Sequence, residues 1–258
     1  MALIADANGA SVHHCDWRAL LEVVPTCDAL IVDAPYSDKT HRGHNGGTDD
    51  VNGIRDTGPC LGFQQYDRRA IGYGEWSASE VSDFVAAWSP RVAGWIVSIT
   101  DDQLAPAWSA AFEAAGRYAF AWLPYVAPGS RVRLSGDGPS SWTCWIVVAR
   151  PRTREMSKWG TLPGAYVLPP GQGGAMPVVG GKPLWLMEQL VKDYSRLGDL
   201  VVDPCCGAGT TIAAAIRQGR RAIGGDMDPK HAAMAARWIT DPQPKCPTES
   251  EARQRVLW

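Results

Sequence analysis

Apolar residues along this chain fall into short continuous runs and longer segments with helical spacing, and the two kinds alternate. Cys27 to Asp33 is a run of the first kind, ending in an acid and then Pro35, which predicts a buried strand emptying into a loop. Ser79 to Ala87 carries helical spacing behind a serine cap, Trp95 to Thr100 predicts a second buried strand, and Leu104 to Ala115 an Ala-rich helix closed by Gly116. Tyr118 to Val126 and Trp142 to Ala149 predict two more strands, joined by a turn-rich stretch as a hairpin that would end a sheet. A helix from Pro183 to Arg196 follows later, then a strand Leu200 to Asp203, a helix Thr210 to Gln218, a strand Ala222 to Asp226 and a helix Pro229 to Ile239. Residues from Asp241 on read as a tail. Repeated alternation of strand and helix implies an α/β fold with a mostly parallel sheet and helices on both faces.

Two stretches interrupt the pattern. From Ser37 to Tyr73 the chain is rich in Gly, Asp and Arg with no sustained period, which predicts a long loop over residues 37–75. Between Pro151 and Gly181 it turns to Pro, Gly and isolated basic residues, predicting an irregular surface excursion with no regular core element. A single domain over residues 1–258 accommodates both.

Composition narrows the class without choosing a function. With 258 residues, 45% hydrophobic and 20% charged, the chain has enough apolar material for one sizeable core. No basic-then-apolar leader and no run near the roughly 20 apolar residues of a membrane span are visible, so a cytoplasmic protein with no membrane partner is expected. Seven cysteines, two of them the adjacent Cys205 and Cys206, favour reduced thiols over a disulfide framework. His13, His14 and Cys15 are neighbours that cannot all face one metal from a regular element, so no metal is expected. A net charge of -2 argues against a protein that coats nucleic acid indiscriminately but permits a local basic groove. Lys39, His41, Arg42 and His44 in one stretch, and Arg150, Arg152, Arg154 and Lys158 in another, are candidates for one.

The second half carries the stronger chemistry. The strand Leu200 to Asp203 runs into Pro204-Cys205-Cys206-Gly207-Ala208-Gly209-Thr210-Thr211 and a helix. Glycines at a strand-to-helix turn admit a ligand close to the backbone, and the helix N-terminus adds free N–H groups. The next strand ends in Asp226, a carboxylate placed to accept ribose hydroxyls. A third glycine of the dinucleotide fingerprint and the Gly-Lys-Ser/Thr of a phosphate loop are both missing, which disfavours NAD and ATP.

Together, DPCCGAGTT, GRRAIGGDMDPKHAAMAARW and Asp33-Ala34-Pro35-Tyr36 resemble the cofactor region and the (D/N/S)PPY tetrapeptide of the amino-methylating DNA methyltransferases. The catalytic element comes before the cofactor element and Lys182-Pro183 before the cofactor loop, which resembles the family's beta arrangement. The resemblance implies a Rossmann-like S-adenosyl-L-methionine-dependent fold and cofactor contacts from Asp203, Cys205, Gly207, Gly209, Thr210, Thr211 and Asp226. Asp16 is similar in placement to an acid near the cofactor adenine, or is a helix N-cap; Lys182 lies near the cofactor's methionine end, or is a solvated residue before Pro183. It implies DNA as partner, met by Lys39, Arg42, Arg152 and Arg154, with residues 151–181 as a target-recognition insertion and a homodimer as the family's habit. Two departures stand out: Cys205 replaces a frequent Phe, and Ala34 replaces the first Pro of the tetrapeptide.

The tetrapeptide also makes chemical sense by itself. An exocyclic base amine is a poor nucleophile because its lone pair is delocalised into the ring, and acceptors on its protons favour the reactive pyramidal form. The Asp33 carboxylate and the Ala34 carbonyl supply acceptors, Pro35 stiffens the turn, and Tyr36 is expected to stack on a base rotated out of the helix. Adenine N6 is the expected target. N4 of cytosine, or a catalytically weak homologue that binds cofactor and DNA, are the alternatives.

Overall fold

A computed structural model of the chain describes residues 1–40, 74–130, 139–173, 178 and 180–240. Its strands are β1 (Ala2–Ala7), β2 (Ala10–His14), β3 (Ala29–Asp33), β4 (Ile96–Thr100), β5 (Tyr118–Ala119), β6 (Leu123–Val126), β7 (Thr143–Arg150), β8 (Tyr166–Val167), β9 (Leu200–Asp203) and β10 (Arg221–Asp226). Its α-helices are α1 (Trp17–Leu20), α2 (Ala78–Trp88), α3 (Ala105–Ala114), α4 (Leu184–Tyr194), α5 (Thr210–Arg217) and α6 (Pro229–Thr240). The sheet runs in the order β1-β2-β10-β9-β3-β4-β7-β6-β8, with β5 beside β7. From β2 to β4 the neighbours are parallel, and β1, β5, β6 and β7 pair antiparallel.

Both faces of the sheet are covered, which is why the central strands read as unbroken apolar runs. Every residue of β4 is buried. Alternate residues of β3 serve opposite layers: Ile31 packs with residues of α4, α5 and α6, and Leu30 and Val32 with residues of α1, α2 and α3. The helix starts follow local rules. Ser77 and Glu80 form a reciprocal cap on α2, with the Ser77 amide donating to Glu80 Oε2 at 2.7 Å.

Connectivity positions the site. From β3 the chain crosses to β4 on one side, and from β9 it crosses to β10 on the other, although β3 and β9 are neighbours. Strand order therefore reverses between them, and a crevice opens beyond their C-terminal ends.

Four expectations change. The N-terminal hairpin β1–β2 extends the sheet where no strand was read. The expected Tyr118 to Val126 strand is two short strands, β5 and β6, both on β7. Residues 151–181 are not wholly irregular: β8 adds parallel to β6 as the edge strand, and the buried Tyr166 donates its hydroxyl to Asp193 Oδ2 at 2.8 Å. Nor does the β6–β7 hairpin end the sheet, because β8 lies outside it. Among the described residues no helix is long and apolar enough to cross a membrane.

Candidate active site

The crevice holds a cavity of about 540 Å³ lined from four strand ends and from the loops before the helices. Cys15 and Asp16 follow β2, Asp33 and Pro35 end β3, Asp203 to Ala208 end β9, and Asp226 to Asp228 end β10. Thr210 and Thr211 open α5, Gly74 to Trp76 precede α2, and Lys182 precedes α4. The volume lies in the range of pockets that enclose a cofactor-sized molecule, roughly 300–1,000 Å³.

Asp33 is held by Lys182, whose Nζ donates to Asp33 Oδ2 at 2.8 Å and to the Gly180 carbonyl at 2.7 Å. The same ammonium lies 4.9 Å from the centroid of the Tyr36 ring. Asp33 and Pro35 line the cavity, whereas Ala34 and Tyr36 are buried behind them, Tyr36 in the core beside the α4–α6 layer. The expected stacking face of Tyr36 is thus covered in this arrangement.

Asp203 is 1% exposed. Its Oδ2 accepts from the Thr211 hydroxyl at 2.5 Å and its Oδ1 from the Cys205 amide at 3.1 Å. Burial outweighs these bonds and pushes the carboxyl up to about 7, with the charges of Asp33 and Asp226 adding to the rise. Asp226 clasps the loop to the next turn: its Oδ2 accepts from the Gly207 amide at 2.8 Å and its Oδ1 from the Asp228 amide at 2.9 Å. Asp16 caps α1, accepting from the Arg18 amide at 2.8 Å, and also lines the cavity. Burial pushes the Cys205 and Cys206 thiols well above their usual range, with neighbouring carboxylates adding to the effect, so neither is a ready thiolate.

The two glycines of the loop differ. Gly207 lines the cavity at φ +52, and a Cβ there would meet nothing nearer than Val178 Cγ2 at 3.9 Å. Gly209 is outside the lining; at φ +88 it precedes α5, and a Cβ would sit 2.7 Å from Ala235. Its smallness serves the contact with α6.

The basic residues divide as well. Lys39 is at the cleft end of the sheet, paired through Nζ with Asp102 Oδ2 at 3.0 Å beyond β4. Arg42 lies outside the described residues, as does most of the expected 37–75 loop. Arg152 and Arg154 follow β7, which runs antiparallel to β4, so Ala149 pairs with Ile96 at the opposite end of the sheet from Asp33. Arg152 there forms an ion pair with Glu113, and Trp159 packs against Trp95 at the start of β4. Neither arginine lines the cavity; the direction of β7 carries them toward the other end of the sheet, which composition does not reveal.

Sequence reasoning missed two residues at the cleft end. Asp101, beyond β4, gathers the chain just after the tetrapeptide: its Oδ2 accepts from the Ser37 amide at 3.0 Å, the Ser37 hydroxyl at 2.5 Å and the Thr40 hydroxyl at 2.6 Å. Burial alone would raise its carboxyl, but these bonds and one from the Leu104 amide win and hold it below its usual range. Trp142, 44% exposed, precedes β7 at the end where Trp145 faces Thr100.

A reversed-order α/β sheet with a glycine loop and carboxylates at its strand ends is a fold that holds nucleoside cofactors. The comparisons sharpen this. The sequence model of a family described as DNA methylase matches residues 179–237, which include Lys182, the cofactor loop and Asp226. Over 54 residues the chain is 39% identical to the type II methyltransferase M2.DpnII of Streptococcus pneumoniae, a match that spans 21% of this chain and 20% of that protein's length. The structure is similar to that of M1.HpyAVI in complex with SAM at a TM-score of 0.64 and 16% identity, covering 90% of this chain and 100% of the other. It is similar to the cytosine-N4-specific PvuII DNA methyltransferase at 0.60 and 15% identity, covering 95% and 92%. The fold is accordingly that of the S-adenosyl-L-methionine-dependent DNA methyltransferases, and the resemblance carried by the sequence motifs holds in the family match and in the fold.

Proposed function

We propose that this protein is a DNA methyltransferase that uses S-adenosyl-L-methionine to methylate the exocyclic N6 of adenine in a flipped-out base. The observation that carries the reading is the meeting of Asp33 and Pro35 with Asp203, Cys205, Gly207 and Asp226 in one cavity at the strand-order reversal. Electrostatics supports it. Asp16, Asp33, Asp226 and Asp228 line the cavity with Glu75 and Glu80, against Arg18, which pairs with Asp16, Lys182, which pairs with Asp33, and His231 beside Asp226. So acidic a pocket repels phosphates and suits a cofactor bearing a sulfonium and an ammonium. The residues present therefore fit that group, with Asp226 toward its ribose and the backbone at Gly207 beside it.

S-adenosyl-L-methionine supplies an electrophilic methyl group on a sulfonium that leaves as a neutral thioether. The rest of the work belongs to the chain. Asp33 and the Ala34 carbonyl accept the amine protons, sharpening the nitrogen lone pair, and Asp33 holds the proton that is shed as the N–C bond forms. Adenine is preferred because the tetrapeptide begins with Asp, the residue that accompanies adenine more often than cytosine in the family it resembles. N4 of cytosine is the target the same geometry serves next best, and a homodimer on DNA belongs to the same proposal from the family's habit alone. Asp33→Ala is expected to abolish transfer of labelled methyl to DNA while calorimetry still registers the cofactor; undiminished transfer would refute the assignment of Asp33.

A further inference from the structure

We propose that Lys182 is a positioning residue of the amine-binding site, fixing the Asp33 carboxylate from the loop before α4; this rests on the function proposed above. Lysine is rarely buried without a partner, yet Lys182 is 6% exposed. Its partner comes from 149 positions away, Asp33 Oδ2 at 2.8 Å, and a second donor goes to the Gly180 carbonyl at 2.7 Å. The placement is built into the local sequence. Pro183 keeps the residue before it out of helical geometry and α4 begins only at Leu184, so Lys182 sits just off the helix at the head of a rigid element.

The charges around Asp33 show why a cation is needed there. Asp203 at the end of β9 and Asp226 at the end of β10 are close enough that both Asp33 and Asp226 add to the rise of the Asp203 carboxyl. The Cys205 thiol beside them is protonated, Asp101 beyond β4 is occupied by Ser37 and Thr40, and Arg18 is paired with Asp16. Lys182 places a cation directly on Asp33, at 2.8 Å from its Oδ2. A carboxyl that took up a proton would turn from acceptor to donor and lose its use to an amine. With its ammonium also over the Tyr36 ring, Lys182 ties both ends of the tetrapeptide to α4. A role at the cofactor's methionine end, the expectation from the resemblance, makes a different demand: loss of Lys182 would then weaken cofactor binding first.

The test compares wild type, K182M and K182R in methyl transfer to DNA from about pH 5 to 9, with cofactor affinity by calorimetry. For K182M we expect kcat to fall by about 30-fold or more, cofactor Kd to stay within about twofold, and the acid limb of kcat to move up by about one pH unit, because Asp33 then loses the ammonium that donates to its Oδ2 at 2.8 Å. K182R keeps the charge and is expected to lose less than about tenfold in kcat with the acid limb in place. An unmoved acid limb in K182M, or a loss confined to cofactor affinity, overturns the proposal. Should K182M not fold, K182R decides by the same readouts, and a displaced limb or a cofactor-only defect in it is the overturning result. Absence of transfer by wild type on any DNA would instead remove the proposed function itself.

Discussion

Asp203, buried at the end of β9, titrates far from an exposed aspartate. Its folded carboxyl at about 7 lies above the value near 4 of an unfolded chain, so the folded state binds more protons between the two. The contribution to stability is complete below about pH 4 and is lost as pH rises through about 7. In cofactor-free protein we therefore expect denaturant stability to decline over that window by on the order of a few kcal/mol, and Asp203→Asn to flatten the decline. A slope equal to wild type in the variant would contradict the assignment. At this scale the sequence exposed the acids that end strands, Asp33, Asp203 and Asp226, because an acid after an apolar run has few places to go. It did not expose the partner of Lys182 or the work of Asp101, since contacts between residues 149 and 64 positions apart leave no local pattern.

Among the elements, the loop from β9 to α5 shows how two glycines of one motif do different work. Gly207 faces the cavity with room for a side chain, so Gly207→Val is expected to leave a folded protein, strained at φ +52, that no longer binds the cofactor. Gly209→Val drives a side chain into Ala235 and Trp238 and is expected to lower thermal stability sharply. Calorimetric titration beside thermal melting separates them; equal melting temperatures would remove the packing role of Gly209. The central strands and most helices were readable because both sheet faces are covered and the helices have one apolar side. β1 was not, for a physical reason: it is an edge strand whose Leu3 and Ile4 are both exposed, so no alternation marks it. β8 escaped because two residues between prolines and glycines carry no period, and its place is set by pairing with β6.

For the molecule as a whole, the proposed function brings an acidic cleft to an acidic polymer, so phosphate contacts are expected around the cavity at the cleft end and not at the far end of the sheet. Lys39 sits at that end in an exposed ion pair with Asp102, an interaction worth at most about 1 kcal/mol and easily exchanged for a phosphate. Lys39→Ala is expected to weaken DNA binding and reduce its salt slope by about one, while Arg152→Ala leaves both unchanged. Fluorescence titrations at several salt concentrations check this, and the reverse ranking would contradict the placement of the DNA. The central claim, methylation of an amine on a base, is tested most directly by incubating DNA with the protein and S-adenosyl-L-methionine, digesting it to nucleosides and measuring them by mass spectrometry. The account predicts N6-methyladenine; N4-methylcytosine would correct the base and spare the mechanism, whereas 5-methylcytosine, or no methylated nucleoside at all, would contradict it.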